Sequence, residues 1–219
     1  LDAAHRWRAL CRTDSGTGSL PTVEAWGPVV EGDALWFRVP TERATHLEAW
    51  VYGEPDAVEP ALVVPLEPVR GGFAGSVSLA ELHGAGVSDV WYGLRAWGPN
   101  WPHDPAWTPG SEVGFLSDVD AEGNRFDPNK LLVDPWAREL SHDPPSDWSP
   151  FTTGERRGVD TGPIAPKGLA LLDPITPASP GPGTPLSDTV VYEVHLRGLT
   201  MQDPSVPEEL RGTFAGTSH

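Results

Sequence analysis

Cysteine is almost absent: Cys11 is the only one in 219 residues. One thiol can neither close an internal disulfide nor build a cysteine zinc site, and it points to a reducing, cytoplasmic setting rather than an exported one. Methionine is equally scarce, and the single Met201 means that Leu1 is not a translation start. The chain is therefore expected to be a piece of a longer protein. Basic residues are few, 15 Lys and Arg against 31 Asp and Glu, for a net charge of −16. A nucleic-acid binder carries a basic stripe, and anionic membranes repel such a chain, so neither partner is expected. No apolar run approaches the ~20 residues of a membrane-spanning helix. Nucleotide-binding glycine patterns and paired-histidine metal motifs are missing too, so no cofactor or metal is expected. Cys11 has no local support as a nucleophile.

Turn formers, by contrast, are abundant: 25 prolines and 24 glycines, with 38% hydrophobic residues to supply a core. That balance predicts short strands and many loops. Alternation with period two marks strands at Ala34–Pro40, His46–Tyr52, Ala61–Leu66, Gly72–Leu79 and Asp89–Trp97. Leu35, Phe37 and Val39 share a face; so do Leu47, Ala49 and Val51, and Val90, Tyr92, Leu94 and Ala96. Trp91, Arg95 and Trp97 take the opposite face of the last strand. Pro65 sends the third strand to an edge or a strand end. Ser78 and Glu81 form a capping-box pair that predicts a helical turn over Leu79–Leu82. Five short strands with turns between them predict an antiparallel β-sandwich.

Around these strands the chain is less regular. Leu1–Arg12 is either a short helix or a frayed end, and Asp14–Leu20 is a loop. Residues 99–124 form a loop rich in Trp, Pro and Asp. Asp134-Pro135 predicts an N-cap and first turn for a short helix to about Leu140. Residues 142–186 read as an extended Pro-rich tract, within which Ile164–Leu172 is apolar enough to pack on something. Val190–Leu196 alternates as a strand, with Glu193, His195 and Arg197 together on one face. That trio is either a polar cluster near an active site or a buried hydrogen-bonded network.

Three segments carry a resemblance. YGLRAWGP (Tyr92–Pro99), RFDPNKLLVDPWAREL (Arg125–Leu140) and VVYEVHLRGLTMQDPSVPEELRGTFAG (from Val190) occur in an order similar to bacterial glycogen debranching enzymes of the isoamylase type, in glycoside hydrolase family 13, the α-amylase superfamily. The resemblance implies an immunoglobulin-like β-sandwich of the CBM48 carbohydrate-binding class over residues 20–140. Before it lies an N-terminal arm (1–19); after it come a connecting tract (141–187) and the truncated first βα unit of a (β/α)8 catalytic barrel (188–219). The parent enzyme would hydrolyse α-1,6 branch linkages in glycogen or limit dextrin. Its catalytic carboxylates would lie on later barrel strands, so no catalytic residue is assigned here and the chain alone is expected to be inactive. Related readings are the same module from a branching enzyme or a trehalose-releasing hydrolase, or a stand-alone glucan-binding module.

Ten tryptophans suit a glucan ligand, because sugar C–H faces stack on aromatic rings. The candidates are Trp101 and Trp107 in the loop and Trp91 and Trp97 on the sheet face, each of which could instead pack under the loop or on the barrel. The strand Val190–Leu196 would need a partner: the rest of the barrel as a separate polypeptide, or a second copy of the chain.

Overall fold

The computed structural model describes residues 23, 25–172 and 183–218. The N-terminal arm with Cys11, and the middle of the connecting tract, lie outside the described residues. The chain divides into two compact units, Leu1–Pro174 and Ile175–His219.

Among the described residues, seven strands build the first unit: β1 (Gly27–Glu31), β2 (Ala34–Pro40), β3 (His46–Tyr52), β4 (Leu62–Val69), β5 (Gly72–Ser78), β6 (Val90–Trp97) and β7 (Gly168–Ala170). All pairings are antiparallel, in the order β1-β2-β5-β4-β3-β6-β7. β4 is shared between two sheets. Leu62–Leu66 pairs with β3, while Glu67–Val69 pairs with β5. Each half of β4 is thus an edge, which is where Pro65 and Pro68 can sit without breaking a ladder. The strand turns the corner, and the two sheets close face to face as a mainly β, immunoglobulin-like sandwich.

The predicted alternation fills the space between the sheets. Leu35 and Phe37 of β2, Leu47, Ala49 and Val51 of β3, Val64 and Leu66 of β4, Phe73 and Val77 of β5, and Val90, Tyr92, Leu94 and Ala96 of β6 form one buried cluster. The Phe37 and Tyr92 rings meet at 5.0 Å across it. The capping box is present. Ser78 caps helix α1 (Leu79–Gly84), its Oγ accepting from Glu81 N while the Glu81 carboxylate accepts from Ser78 N, and Leu82 enters the core.

The structure corrects several local expectations. β1 adds a strand that the alternation did not mark. Part of the Pro-rich tract is also a strand: β7 pairs with β6 at Tyr92–Val90, so the apolar run around Ala170 packs by joining the sheet. Asp134–Leu140 is not a helix. Asp134 Oδ1 accepts from Trp136 N and its carbonyl accepts from Ala137 N, closing a turn that does not propagate.

The second unit holds helices α2 (Leu196–Thr200) and α3 (Phe214–Thr217). The strand expected at Val190–Leu196 is not formed. Residues 190–195 have no ladder partner among the described residues, and Val190, Val191 and Tyr192 are 91%, 80% and 83% exposed. Period-two alternation supplies a strand's faces, but not the neighbour that must satisfy its backbone. Glu193, His195 and Arg197 are exposed instead of forming a buried network, and His195 caps α2 by accepting from Gly198 N. Thr200 and Val206 are buried within this unit, with Thr200 Oγ1 accepting from Gly212 N at 2.8 Å.

Candidate functional site

The outer face of β3 and β6 alternates against the core face, so it carries Glu48, Trp50 and Tyr52 from β3 and Trp91, Gly93, Arg95 and Trp97 from β6. This face is not open. Residues 98–167 fold back over it, and Trp50, Tyr52, Trp97, Trp101, Trp107, Leu131 and Ala165 form a second buried cluster.

That placement bears on the four tryptophans. Trp101 and Trp107 come from the loop as expected, but they are not exposed platforms: they retain 1% and 9% exposure. Trp101 Nε1 donates to Val113 O at 2.8 Å and its ring meets Phe115 edge-on. Trp97 is fully buried and meets Trp107 edge-on at 5.1 Å. Trp91 alone of the four is partly open, at the margin of the cluster. A large apolar ring beside a sheet gains more from burial under its own chain than from water, and this loop is long enough to provide the cover.

Charge is threaded through the layer. The Arg95 guanidinium lies 4.1 Å from the Trp50 ring and 5.5 Å from Trp107, donates to Pro128 O, and pairs with Asp160 at 2.7 Å. Lys167 is buried with Nζ 4.6 Å from the Tyr52 ring. Burial pushes the Lys167 amine down and the Tyr52 phenol up to about 12.

The segment Arg125–Leu140 is the clasp of this cover. Asn129 Oδ1 accepts from Gly110 N, and its Nδ2 donates to Ser111 O and Arg157 O. Lys130 Nζ donates to Arg156 O and Val159 O, both at 2.8 Å. Leu131 packs on Gly93, where a Cβ would come within 2.5 Å of Leu131 Cγ, so only glycine admits this approach. Tyr92 donates to buried Asp134 at 2.7 Å; burial and that carboxylate hold the phenol strongly protonated. These residues stood in a recognised block, but their loop-fastening role depends on partners 18 to 42 residues away and had no local signal.

Beside the clasp lies a hollow of about 400 Å³, lined by Ala96, Arg125, Phe126, Asp127, Lys130, Leu132, Phe151 and Thr153. Burial pushes Asp127 up to about 6, against the pull of Lys130 at 3.9 Å. Trp148, 59% exposed, lies 5.6 Å from Phe151. Phe126 and Phe151 offer partly open aromatic faces, and the charged groups offer hydrogen bonds. This combination suits a polyhydroxylated ligand.

A third cluster sits where the loop leaves β6. His46 Nε2 and Glu48 Oε1 are 3.1 Å apart, and the His46 and His103 rings stack at 3.7 Å. The sequence held no paired-histidine motif, because His46 and His103 meet only through the fold.

No protein-family model matches the chain. An isoamylase from a Flavobacterium species is 45% identical over 193 residues, 84% of this chain and 25% of that protein. An isoamylase of Pseudomonas amyloderamosa is 43% identical over 189 residues, 83% of this chain and 24% of that one. A glycogen debranching enzyme of Erwinia tasmaniensis is 32% identical over 199 residues, 88% and 26% of the two chains. The chain spans about a quarter of the length of these relatives. The solved catalytic module of SpuA, a multi-modular glycogen-degrading pneumococcal virulence factor, aligns with TM-score 0.49 and 21% identity over 96% of this chain and 25% of that one. No helix among the described residues is long and apolar enough to cross a membrane.

Proposed function

Since the chain is a homologue of isoamylases and glycogen debranching enzymes over about a quarter of their length, we propose that it is the β-sandwich module, with the opening of the catalytic barrel at residues 188–219, of a cytoplasmic enzyme that hydrolyses α-1,6 branch linkages in a glycogen-type glucan. On this reading the module is non-catalytic and chiefly supports the barrel. The observation that carries the supporting role is the covered outer sheet face, where Trp97, Trp101 and Trp107 are spent on internal packing. Glucan contact is then weak. Among the four tryptophans it falls to Trp91 and the edge of Trp107, and beyond them to the hollow walled by Phe126 and Phe151. The exposed apolar segment 190–194 waits for the rest of the barrel, or for a second copy of the chain.

Two measurements test this. The purified chain should release no reducing ends from glycogen or pullulan above a protein-free control, because removing an enzyme's catalytic groups leaves little beyond binding effects. In affinity electrophoresis through glycogen gels, the chain should be retarded slightly, and Phe151→Ala should remove more of that retardation than Trp91→Ala. Activity that survives repurification would overturn the module reading. Strong retardation untouched by either substitution would overturn the assigned surface.

A further inference from the structure

We propose that His46, Glu48 and His103 form a binding site for one divalent transition-metal ion of the zinc class, joining β3 to the root of the covering loop. Their donor atoms all lie within 4.8 Å of one another. His46 and Glu48 are two apart on β3 and so share its outer face, while His103 is delivered by the loop that follows β6. Two imidazoles and one carboxylate are the ligand set that zinc, copper and nickel prefer; calcium and magnesium ask for oxygen alone.

The spacing is close to what an ion needs. Two donors held at ~2.0–2.2 Å from one tetrahedral ion lie about 3.4 Å apart. His46 Nε2 and Glu48 Oε1, joined by a hydrogen bond at 3.1 Å, need move apart only slightly to reach that edge. His103 must close the remaining gap. Its ring is stacked on His46 with a 22° tilt, so the two lone pairs run side by side instead of converging. His103 is exposed and at the root of a loop, and ion binding requires its ring to turn about the side-chain torsions so that a nitrogen faces the ion. The exposed side leaves room for water to complete the coordination.

The surroundings favour the deprotonated forms of Glu48 and His103, and the ion takes the place of the proton that His46 Nε2 donates to Glu48 Oε1. Burial alone would raise the Glu48 carboxyl, but hydrogen bonds from His46 and from Trp50 outweigh it and hold the group below its ordinary value. Burial lowers His103, and His46 alongside lowers it further, against the opposing pull of Glu48 and Asp104. Trp50 Nε1 donates to Glu48 Oε2 at 2.8 Å, which fixes the carboxylate and leaves Oε1 toward the histidines. Outer partners of this kind orient metal ligands. The edge of the site is set by Trp97, which meets both imidazoles edge-on at about 5 Å.

The test uses the full 219-residue chain, stripped with EDTA and freed of chelator. Titration with Co(II) should give visible d–d bands that saturate at one ion per chain and are displaced by Zn(II). Calorimetry with Zn(II) should show the same stoichiometry, and the melting temperature should rise with added Zn(II). His103→Ala and Glu48→Gln should each weaken binding at least about tenfold, the lower end of the loss seen when even an outer partner is removed, and should abolish the thermal shift. His103 is exposed, so that variant should keep the wild-type circular dichroism and remain interpretable. A chain with His5→Ala and His219→Ala should bind as the wild type does. Undiminished binding in both site variants, or no wild-type signal beyond theirs, would overturn the site.

Discussion

The two faces of β3 and β6 bury their side chains by different physics. The inner face packs aliphatic rows against the other sheet, with Tyr92 its one polar group, and that hydroxyl finds Asp134 at the margin. The outer layer packs four tryptophans, one arginine and one lysine between the sheet and a covering segment of some seventy residues, and ion pairs, cation–π contacts and side chain-to-backbone bonds satisfy only part of the polar groups it buries. The inner layer draws on strands that are adjacent in the sheet. Its counterpart draws on a loop that must close over a long distance, so each fastening has loop entropy to offset.

The sharpest way to break the comparison is at the centre of the inner layer. Phe37 is 1% exposed and sits among residues from both sheets. Phe37→Ala should cost about 3–5 kcal/mol. Chemical denaturation should show that loss with one cooperative transition, since neither sheet has another cover for that face. A loss below 1 kcal/mol would mean that the two layers are not ranked as described.

Next comes the acid response of the outer layer. Asp127 has a folded-state pKa of about 6, raised by burial, above its ordinary value near 4. Folding therefore favours the protonated form. This carboxyl weakens the fold at pH 7, and the penalty shrinks as pH falls from about 6 to about 4, by an amount on the order of 2–3 kcal/mol. Asp127→Asn should flatten that segment of the stability–pH profile. Its Oδ1 can still accept from Asn129 N, the bond that Asp127 makes at 3.0 Å. Calorimetric melting at half-unit pH steps would show it, and a profile identical to wild type would place the titration elsewhere.

What could be read from the sequence follows the same division. β2 and β3 have the limits that the alternation assigned, and the capping box at Ser78 is where its two residues placed it. Those signals are local: a period of two, or a spacing of three. The outer layer was legible only as a surplus of tryptophan. That Trp101 lies inside, that Asn129 and Lys130 fasten residues 156–159, and that His103 meets His46 depend on where the loop returns. No local pattern encodes a return. β7 was hidden by surrounding prolines, and β1 by a Gly-Pro start at Gly27-Pro28. At Val190–Leu196 the failure ran the other way: the alternation is clear, and the ladder partner that would make it a strand is not among the described residues.

The smallest effect expected is at Lys130, where one amine bridges two carbonyls of the covering segment. Its Nζ serves Arg156 O and Val159 O, and stands 3.9 Å from Asp127 Oδ2. Lys130→Met keeps the apolar stem and removes the three donors. Two carbonyls lose their partner, but Arg156 is exposed and Val159 half-buried, so water can recover part of what is lost. The cost should be about 1–2 kcal/mol, in the lower part of the range for orphaned polar groups. Removing the amine also removes the larger of the two cationic influences, Lys130 and Arg157, that hold down the buried Asp127, so the carboxyl should titrate still higher in this variant. The two changes are then coupled. Lys130→Met in an Asp127→Asn background should cost less than in the wild type, because no buried charge is left unpaired. A double-mutant cycle at pH 7 reads the difference directly. Strict additivity would show that Lys130 acts only through the two carbonyls, and that the clasp and the titrating carboxyl are separate devices.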